Sequence, residues 1–121
     1  MRKTGKLDYI ELSASGGSLD SVKAFYAGVF GWSFTDYGPE YVAFSDEGLD
    51  GGFFKSEQQR LTSYGAALMV FYSSKLEATQ SKVEKAGGNI VKPTYNFPGG
   101  RRFHFVEPGG SEFAVWTDTV A

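Results

Sequence analysis

The chain has 121 residues, 41% of them hydrophobic and 21% charged, which suits one compact domain and excludes a disordered chain. It contains no Cys and a single His, so disulfides, thiolate metal sites and a two-His metal site within one chain are excluded. The formal charge of −2 gives no electrostatic basis for binding nucleic acid, and no apolar stretch approaches the roughly 20 residues of a membrane span. We therefore expect a soluble, cytoplasmic protein with neither nucleic-acid nor membrane partners.

Aromatic residues are unusually frequent, with 11 Phe, 7 Tyr and 2 Trp, and the chain also contains 16 Gly. Aromatic side chains are enriched in strands, and glycines supply the backbone conformations of tight turns. The composition therefore indicates a β-rich protein, and it suggests a cavity lined by aromatic rings.

The first half of the chain predicts a strand, a helix and three further strands. Alternating apolar and polar residues predict a half-buried strand at 7–14. Apolar residues at spacings of three and four predict an amphipathic helix at 19–30. Short strands follow at 32–37, 40–45 and 49–55. Because the last of these contains Gly51-Gly52, we expect a bulge there or a group that approaches the backbone closely.

The second half repeats this order after a polar loop at 56–63. A strand is predicted at 66–72, and Ser74 with Glu77 has the spacing of a capping box that begins a helix. Pro93 interrupts the strand predicted at 89–95, which indicates an edge position or a bulge. Two more strands are predicted, at 102–106 and 112–117. The same five-element order therefore occurs twice, as a pattern repeat.

Three segments resemble parts of the vicinal oxygen chelate superfamily, which includes glyoxalase I, bleomycin-resistance proteins and extradiol dioxygenases. Residues 25–32 resemble the end of its first helix, residues 76–91 its second helix and the next strand, and residues 105–113 the turn before its final strand. The resemblance implies one α+β domain, 1–121, built from two βαβββ modules at 7–55 and 65–118 with a linker at 56–64. Each mixed sheet would curl around a concave cleft that holds the ligand, with its helix on the convex face.

Metal-dependent members of this superfamily hold one divalent ion with His, Glu or Gln side chains, two from each module. The matching positions in this chain are Tyr9 in the first strand and Ala114 in the last, and neither is a ligand of that kind. The strand at 66–72 contains no His, Asp, Glu or Gln. We therefore predict no metal ion and no other cofactor.

Glu11 is the predicted catalytic residue, because an inward carboxylate that loses hydration becomes a stronger general base. The alternative is a structural carboxylate that is hydrogen-bonded to Tyr9 or paired with an arginine. Glu112 has the same two interpretations. His104, the one imidazole, is either a proton shuttle that contacts the ligand or a strand histidine without that role.

The predicted ligand-binding residues combine polar groups with aromatic rings. Arg102 follows a turn and offers a guanidinium fork that suits a carboxylate or phosphate. Five rings are candidates for the wall of the cleft, because rings stack on flat ligands; the alternative is that they only fill the space between opposing sheets. These rings belong to Tyr9, Tyr41, Phe53, Tyr72 and Trp116, and Arg102, His104 and Glu112 complete the predicted ligand-binding set.

These observations favour metal-independent binding or sequestration of a small apolar or aromatic molecule, as in the resistance-protein branch of the superfamily. One alternative is a lyase, isomerase, hydrolase or dioxygenase-type enzyme that uses Glu11 as a base or completes the metal site in another way. A further alternative is a degenerate member that serves as a protein-interaction domain. The resemblance also implies a homodimer, with the cleft formed within one chain or between two chains.

Overall fold

Two four-stranded mixed sheets, each with one helix, form the α+β fold that the sequence predicts. The computed structural model describes residues 2–15 and 19–119. The first sheet has the order β1-β4-β3-β2, and its elements are β1 (Tyr9–Ala14), α1 (Leu19–Phe30), β2 (Thr35–Asp36), β3 (Tyr41–Glu47) and β4 (Leu49–Lys55). The second has the order β5-β8-β7-β6, and its elements are β5 (Met69–Tyr72), α2 (Leu76–Lys85), β6 (Asn89–Phe97), β7 (Gly100–Val106) and β8 (Glu112–Thr117).

The two sheets have the same internal pairing. Strand β1 is parallel to β4, and β5 is parallel to β8, while the other pairs are antiparallel. A parallel neighbour needs a crossover connection, and the helix of each module lies within that connection. The sheets are not closed into a barrel, so β1 and β5 each stand at an edge of their sheet.

Helix α1 joins both sheets to one core. The ring of Tyr26 is fully buried, and its centroid lies 5.1 Å from that of Phe53 on β4 and 5.8 Å from that of Phe113 on β8. Phe30, at the end of the same helix, stacks on Phe71 of β5 with centroids 4.1 Å apart. Because successive strand residues point to opposite sides, each sheet has an inner face packed on this core and an open face.

Several predicted elements are confirmed. Helix α1 has the predicted bounds, as do the strands at 49–55 and 112–117. Strand β6 is an edge strand, and its pairing with β7 shifts register between Ile90 and Lys92 and again between Lys92 and Tyr95. Pro93 lies within the second irregularity, so both of its predicted consequences are present.

Two local predictions are wrong. The capping box does not form, because α2 begins after Lys75 without a side-chain cap, and Glu77 instead pairs with Arg101 on β7. The strand predicted at 32–37 is reduced to Thr35–Asp36. Trp32 turns into the core and stacks on Tyr26 with centroids 4.9 Å apart, so burial of the indole replaces regular pairing there.

The predicted linker is hydrogen-bonded to the second sheet through Arg60. Arg60 pairs with Ser111, and its carbonyl accepts a hydrogen bond from the backbone N–H of Glu112 at 2.7 Å.

Glu107, only 3% exposed, accepts a hydrogen bond from the backbone N–H of Ser111 at 3.1 Å. Burial raises the pKa of Glu107 against the opposing effect of that hydrogen bond. The other Glu107 oxygen, the Tyr26 hydroxyl and Arg60 Nη2 are buried without hydrogen-bond partners among the described residues.

Close approach explains the glycine pair in β4. A Cβ at Gly52 would overlap the Tyr41 ring, and a Cβ at Gly51 would lie 2.7 Å from the Phe44 ring and 2.8 Å from Ile10 Cγ2. The predicted close approach at these glycines is therefore confirmed, and the approaching groups belong to the chain itself.

The Gly51→Ala substitution should destabilise the protein by about 1–3 kcal/mol, because the extra methyl group overpacks the core between β1 and β3. Urea unfolding measures this difference. Gly28→Ala is the matched control, since Gly28 lies within α1 and a Cβ there meets no atom within 4 Å. That substitution should instead stabilise the protein by about 0.5–1 kcal/mol. Equal stability of the two variants would contradict the packing assigned to Gly51.

Candidate functional site

A hydrogen-bonded chain of four side chains crosses the open face of the second sheet. Nδ1 of His104 lies 2.9 Å from Glu112 Oε2, and Nε2 of the same ring lies 3.1 Å from the Tyr95 hydroxyl. Arg102 donates from Nε to that hydroxyl. We call these four residues, Glu112, His104, Tyr95 and Arg102, the polar relay.

Strand register places the members of the polar relay on one face. Arg102 and His104 are two residues apart on β7, so their side chains point the same way. The hairpin between β6 and β7 sets Tyr95 directly opposite Arg102, and the β7–β8 pairing sets Glu112 diagonally across from His104.

The proton positions in the relay follow from Glu112. Burial disfavours its charge, but hydrogen bonds from His104 and from the backbone and hydroxyl of Thr62 outweigh burial and lower the pKa of Glu112. An ionised carboxylate only accepts hydrogen bonds, so a neutral His104 carries its proton on Nδ1 and accepts at Nε2. In this neutral form the Tyr95 hydroxyl donates to Nε2 while it accepts from Arg102 Nε.

A row of rings lies beside the relay. The guanidinium carbon of Arg102 is 5.4 Å from the ring centroids of both Tyr95 and Phe97. Trp116 meets Phe97 edge to face at 6.2 Å and Tyr72 at 5.3 Å. Tyr72 is 54% exposed, and Tyr95, Phe97 and Trp116 are half-buried. We call these four residues, Tyr72, Trp116, Phe97 and Tyr95, the aromatic row; they offer flat, accessible surface next to a cation.

The open face of the first sheet carries a separate cluster. The hydroxyls of Tyr9 and Tyr41 are 2.5 Å apart, and Tyr41 donates to Glu11 Oε2 at 3.0 Å. Burial, followed by the hydrogen bonds with Tyr9 and Glu11, raises the pKa of Tyr41, so this phenol keeps its proton. The Glu11 side chain is exposed in the single chain. Its role as a catalytic base stays a prediction.

The predicted site residues thus fall into two groups and one exception. The second sheet brings together Tyr72, Arg102, His104, Glu112 and Trp116, and the first brings together Tyr9, Glu11 and Tyr41. Phe53 was predicted to line the cleft, and this is wrong. It faces the core, fully buried against Tyr26, because the open-face positions of β4 are those of Gly52 and Phe54.

Sequence reasoning missed Tyr95, Phe97 and Thr62. A usable signal existed for the first two, because Pro98-Gly99 forms a two-residue hairpin loop that pairs Phe97 with Gly100 and therefore Tyr95 with Arg102. Thr62 gave no such signal, since it reaches Glu112 from a short 3₁₀ turn at Thr62–Tyr64 within the linker.

The residues present do not fit the divalent metal that the superfamily implies. Among residues 2–15 and 19–119, no three His, Asp or Glu side chains come together in a way that could hold an ion. The position of Ala114 on the open face is occupied by a methyl group, and Tyr9 offers a phenol that is hydrogen-bonded to Tyr41. No chemical step is therefore assigned to a metal.

Two four-stranded mixed sheets, each with its own helix, are the arrangement that the vicinal oxygen chelate resemblance implies. Residues 6–115 match the family model of the Glyoxalase/Bleomycin resistance protein/Dioxygenase superfamily, and the chain belongs to this superfamily. The resemblance inferred from three sequence segments is thereby confirmed. A comparison with curated proteins finds no relative whose sequence matches.

Solved structures show the same fold at low sequence identity. The chain is similar to a glyoxalase/bleomycin resistance protein/dioxygenase family enzyme from Burkholderia phytofirmans PsJN, with TM-score 0.77, 16% identity and coverage of 95% of this chain and 100% of that one. The chain is also similar to a glyoxalase-related enzyme from Fulvimarina pelagi, with TM-score 0.74, 19% identity and coverage of 93% of this chain and 88% of that one. For the fosfomycin resistance protein FosX from Listeria monocytogenes, the TM-score is 0.70, the identity is 16%, and the coverage is 98% of this chain and 96% of that one. No helix in the described ranges is long and apolar enough to span a membrane.

The Glu112→Gln substitution should lower the free energy of unfolding at about pH 7 by about 1.5–3 kcal/mol, because it removes the charge that accepts from His104 and Thr62. A carboxyl whose pKa is lowered by folding contributes stability that is present above its unfolded pKa and is lost as pH falls. The difference from the unsubstituted protein should therefore shrink below about pH 4.5, the ordinary value for this group. Urea unfolding across this range measures it.

Glu84→Gln on the exposed side of α2 is the control, with an expected change within about 0.5 kcal/mol at every pH. A Glu112→Gln deficit that does not vary with pH would show that lost packing, rather than lost charge, is responsible.

Proposed function

We propose that this protein binds a small planar molecule, aromatic or apolar, on the open face of the second sheet, and that it does so without a metal ion. The observation that carries this proposal is the aromatic row beside Arg102. Rings supply large apolar area at little cost in conformational entropy, and their faces stack on flat ligands. Binding without chemistry, as in sequestration, needs only this surface.

A second copy of the chain is part of the proposal. Strands β1 and β5 are sheet edges, and Tyr9 (46%), Phe54 (39%) and Val70 (43%) are exposed on the open faces. Unpaired edges and exposed apolar patches of this kind are places where another chain can pair or pack. A homodimer would cover them and narrow the site around the ligand. A solution mass equal to a single chain would contradict the dimer.

We also propose that the protein is located in the cytoplasm.

A second candidate function is proton transfer on the bound molecule, and the polar relay favours it. An ionised carboxylate that orients an imidazole makes that imidazole a better proton acceptor. His104 is only 6% exposed, whereas Tyr95 is half-buried, so a ligand proton would reach the imidazole through the Tyr95 hydroxyl. Glu11, on the other sheet, stays the alternative base. A protein-interaction domain is the outcome to consider if no small molecule binds.

The Trp116→Leu substitution should remove most of the thermal stabilisation that planar aromatic compounds give. Ligand binding to the native state must raise the unfolding midpoint, so 2-naphthamide and 2-naphthoate are suitable probes. Tyr64→Leu is the control, since Tyr64 is exposed in the linker and lies outside the aromatic row. If neither probe stabilises the unsubstituted protein, or if both variants respond alike, the aromatic row is not the binding surface.

Proton transfer has a separate test that uses 1-phenylpropan-2-one, a neutral aromatic ketone with an acidic C–H bond. The unsubstituted protein should accelerate exchange of that hydrogen for deuterium in D₂O, as followed by NMR. Tyr95→Phe should reduce the acceleration by about 10²–10⁴-fold, the usual contribution of a positioned acid–base group. Tyr41→Phe, which disturbs only the first sheet's cluster, is the comparison. If Tyr41→Phe loses the acceleration of exchange and Tyr95→Phe retains it, Glu11 is the base instead.

A further inference from the structure

We infer that the ligand of the aromatic row is an aromatic acid, and that Arg102 binds its carboxylate. The inference rests on the proposed binding function and adds the chemical class of the molecule.

Arg102 differs from the other arginines in its surroundings. Arg2 pairs with Asp8 and Asp50, and Arg101 pairs with Glu77 at 2.5 Å. Arg60 lies over the Phe113 ring and donates to the Ala67 carbonyl at 2.9 Å. Within residues 2–15 and 19–119, neither Arg60 nor Arg102 has a carboxylate at ion-pair distance, but Arg60 is held by the Ala67 carbonyl, whereas the partners of Arg102 are only rings and a neutral hydroxyl.

The Arg102 side chain is already oriented. Its Nε donates to the Tyr95 hydroxyl, and the guanidinium plane is held beside the Tyr95 and Phe97 rings. The donors of Nη1 and Nη2 have no acceptor in the described part of the chain. Two free, parallel donors in a fixed guanidinium group match the two oxygens of a carboxylate, and little conformational freedom is left to lose on binding.

Lys92 places a second cation near the Tyr95 ring. Lys92 Nζ is 4.6 Å from the Tyr95 centroid, again with no carboxylate at ion-pair distance in the described ranges. The nearby acidic groups are engaged elsewhere, since Glu112 accepts from His104 and Thr62, and Asp118 accepts from the Tyr72 hydroxyl at 2.8 Å. Arg102 and Lys92 are therefore two cations beside the Tyr95 ring that have no carboxylate at ion-pair distance in the described ranges, and a bound anion would supply one.

The ring contacts define the rest of the ligand. Phe97 touches both the Arg102 guanidinium and Trp116. A carboxylate bound at Arg102 therefore places the group attached to it over Phe97 and Trp116, where a flat ring has aromatic partners. An acidic head and an aromatic body at this spacing describe an aromatic carboxylic acid.

The test compares 2-naphthoate with its neutral isostere 2-naphthamide at one fixed ionic strength. Binding is followed by NMR through the Arg102 Nε–Hε and Trp116 indole signals. The acid should bind at least about tenfold more tightly than the amide, because charge-assisted hydrogen bonds contribute more than neutral ones. Arg102→Gln should lower the affinity for the acid by about tenfold to a hundredfold and leave the affinity for the amide unchanged.

Arg101→Gln is the matched control, because the neighbouring residue carries the same charge but is turned toward Glu77 on α2. It should leave the affinity for both probes unchanged. Arg102→Lys keeps the charge without the fork and should retain part of the preference for the acid. This variant keeps the test decisive if Arg102→Gln does not fold.

The outcomes separate the inference from the function on which it rests. Equal affinity for acid and amide, with the Trp116 signal shifted by both, overturns the acid class and leaves aromatic binding in place. Binding of neither probe overturns both proposals. If the acid binds Arg102→Gln as tightly as the unsubstituted protein, while the substitution changes the solution mass, Arg102 belongs to an interface between copies and the inference is wrong.

Discussion

The burial of one helical tyrosine sets the arrangement of the whole molecule. Tyr26 of α1 contacts Phe53 of the first sheet and Phe113 of the second, so the inner faces of both sheets are committed to one aromatic core. Because side chains alternate along a strand, each residue packed on that core fixes its neighbours on the open face. The functional surfaces are therefore a direct consequence of the core packing.

The two open faces differ because of what their strands carry at the alternate positions. On the first sheet, Gly52 leaves room for Tyr41, whose hydroxyl bridges Tyr9 and Glu11. On the second, β7 places Arg102 and His104 side by side, and β6 and β8 supply their partners. Both nitrogens of His104 are hydrogen-bonded. Because hydrogen bonds are stronger in the low dielectric of a buried site, these two bonds fix the orientation of the imidazole ring.

Much of the fold could be predicted from the sequence, because its periodic patterns are local. Helix α1 and strand β8 follow from the spacing of their apolar residues, and the edge position of β6 follows from Pro93, which lacks a backbone N–H donor. The errors occur where tertiary packing overrides a local signal. Ser74 and Glu77 have capping spacing, yet Arg101 attracts Glu77 across to the sheet. Phe53 was assigned to the wrong face because two adjacent glycines obscure the alternation.

The site could be predicted only in part, for a reason that two carboxylates illustrate. Glu107 and Glu112 flank the same turn, yet burial raises the pKa of the first, and hydrogen bonds lower that of the second despite burial. Because its pKa is raised on folding, Glu107 makes the protein less stable at higher pH than at low pH, whereas Glu112, whose pKa is lowered, contributes stability that is lost as pH falls. The sequence shows two similar acids near one turn. Their donors, Ser111 for one and His104 with Thr62 for the other, assign one to the junction between modules and the other to the candidate site.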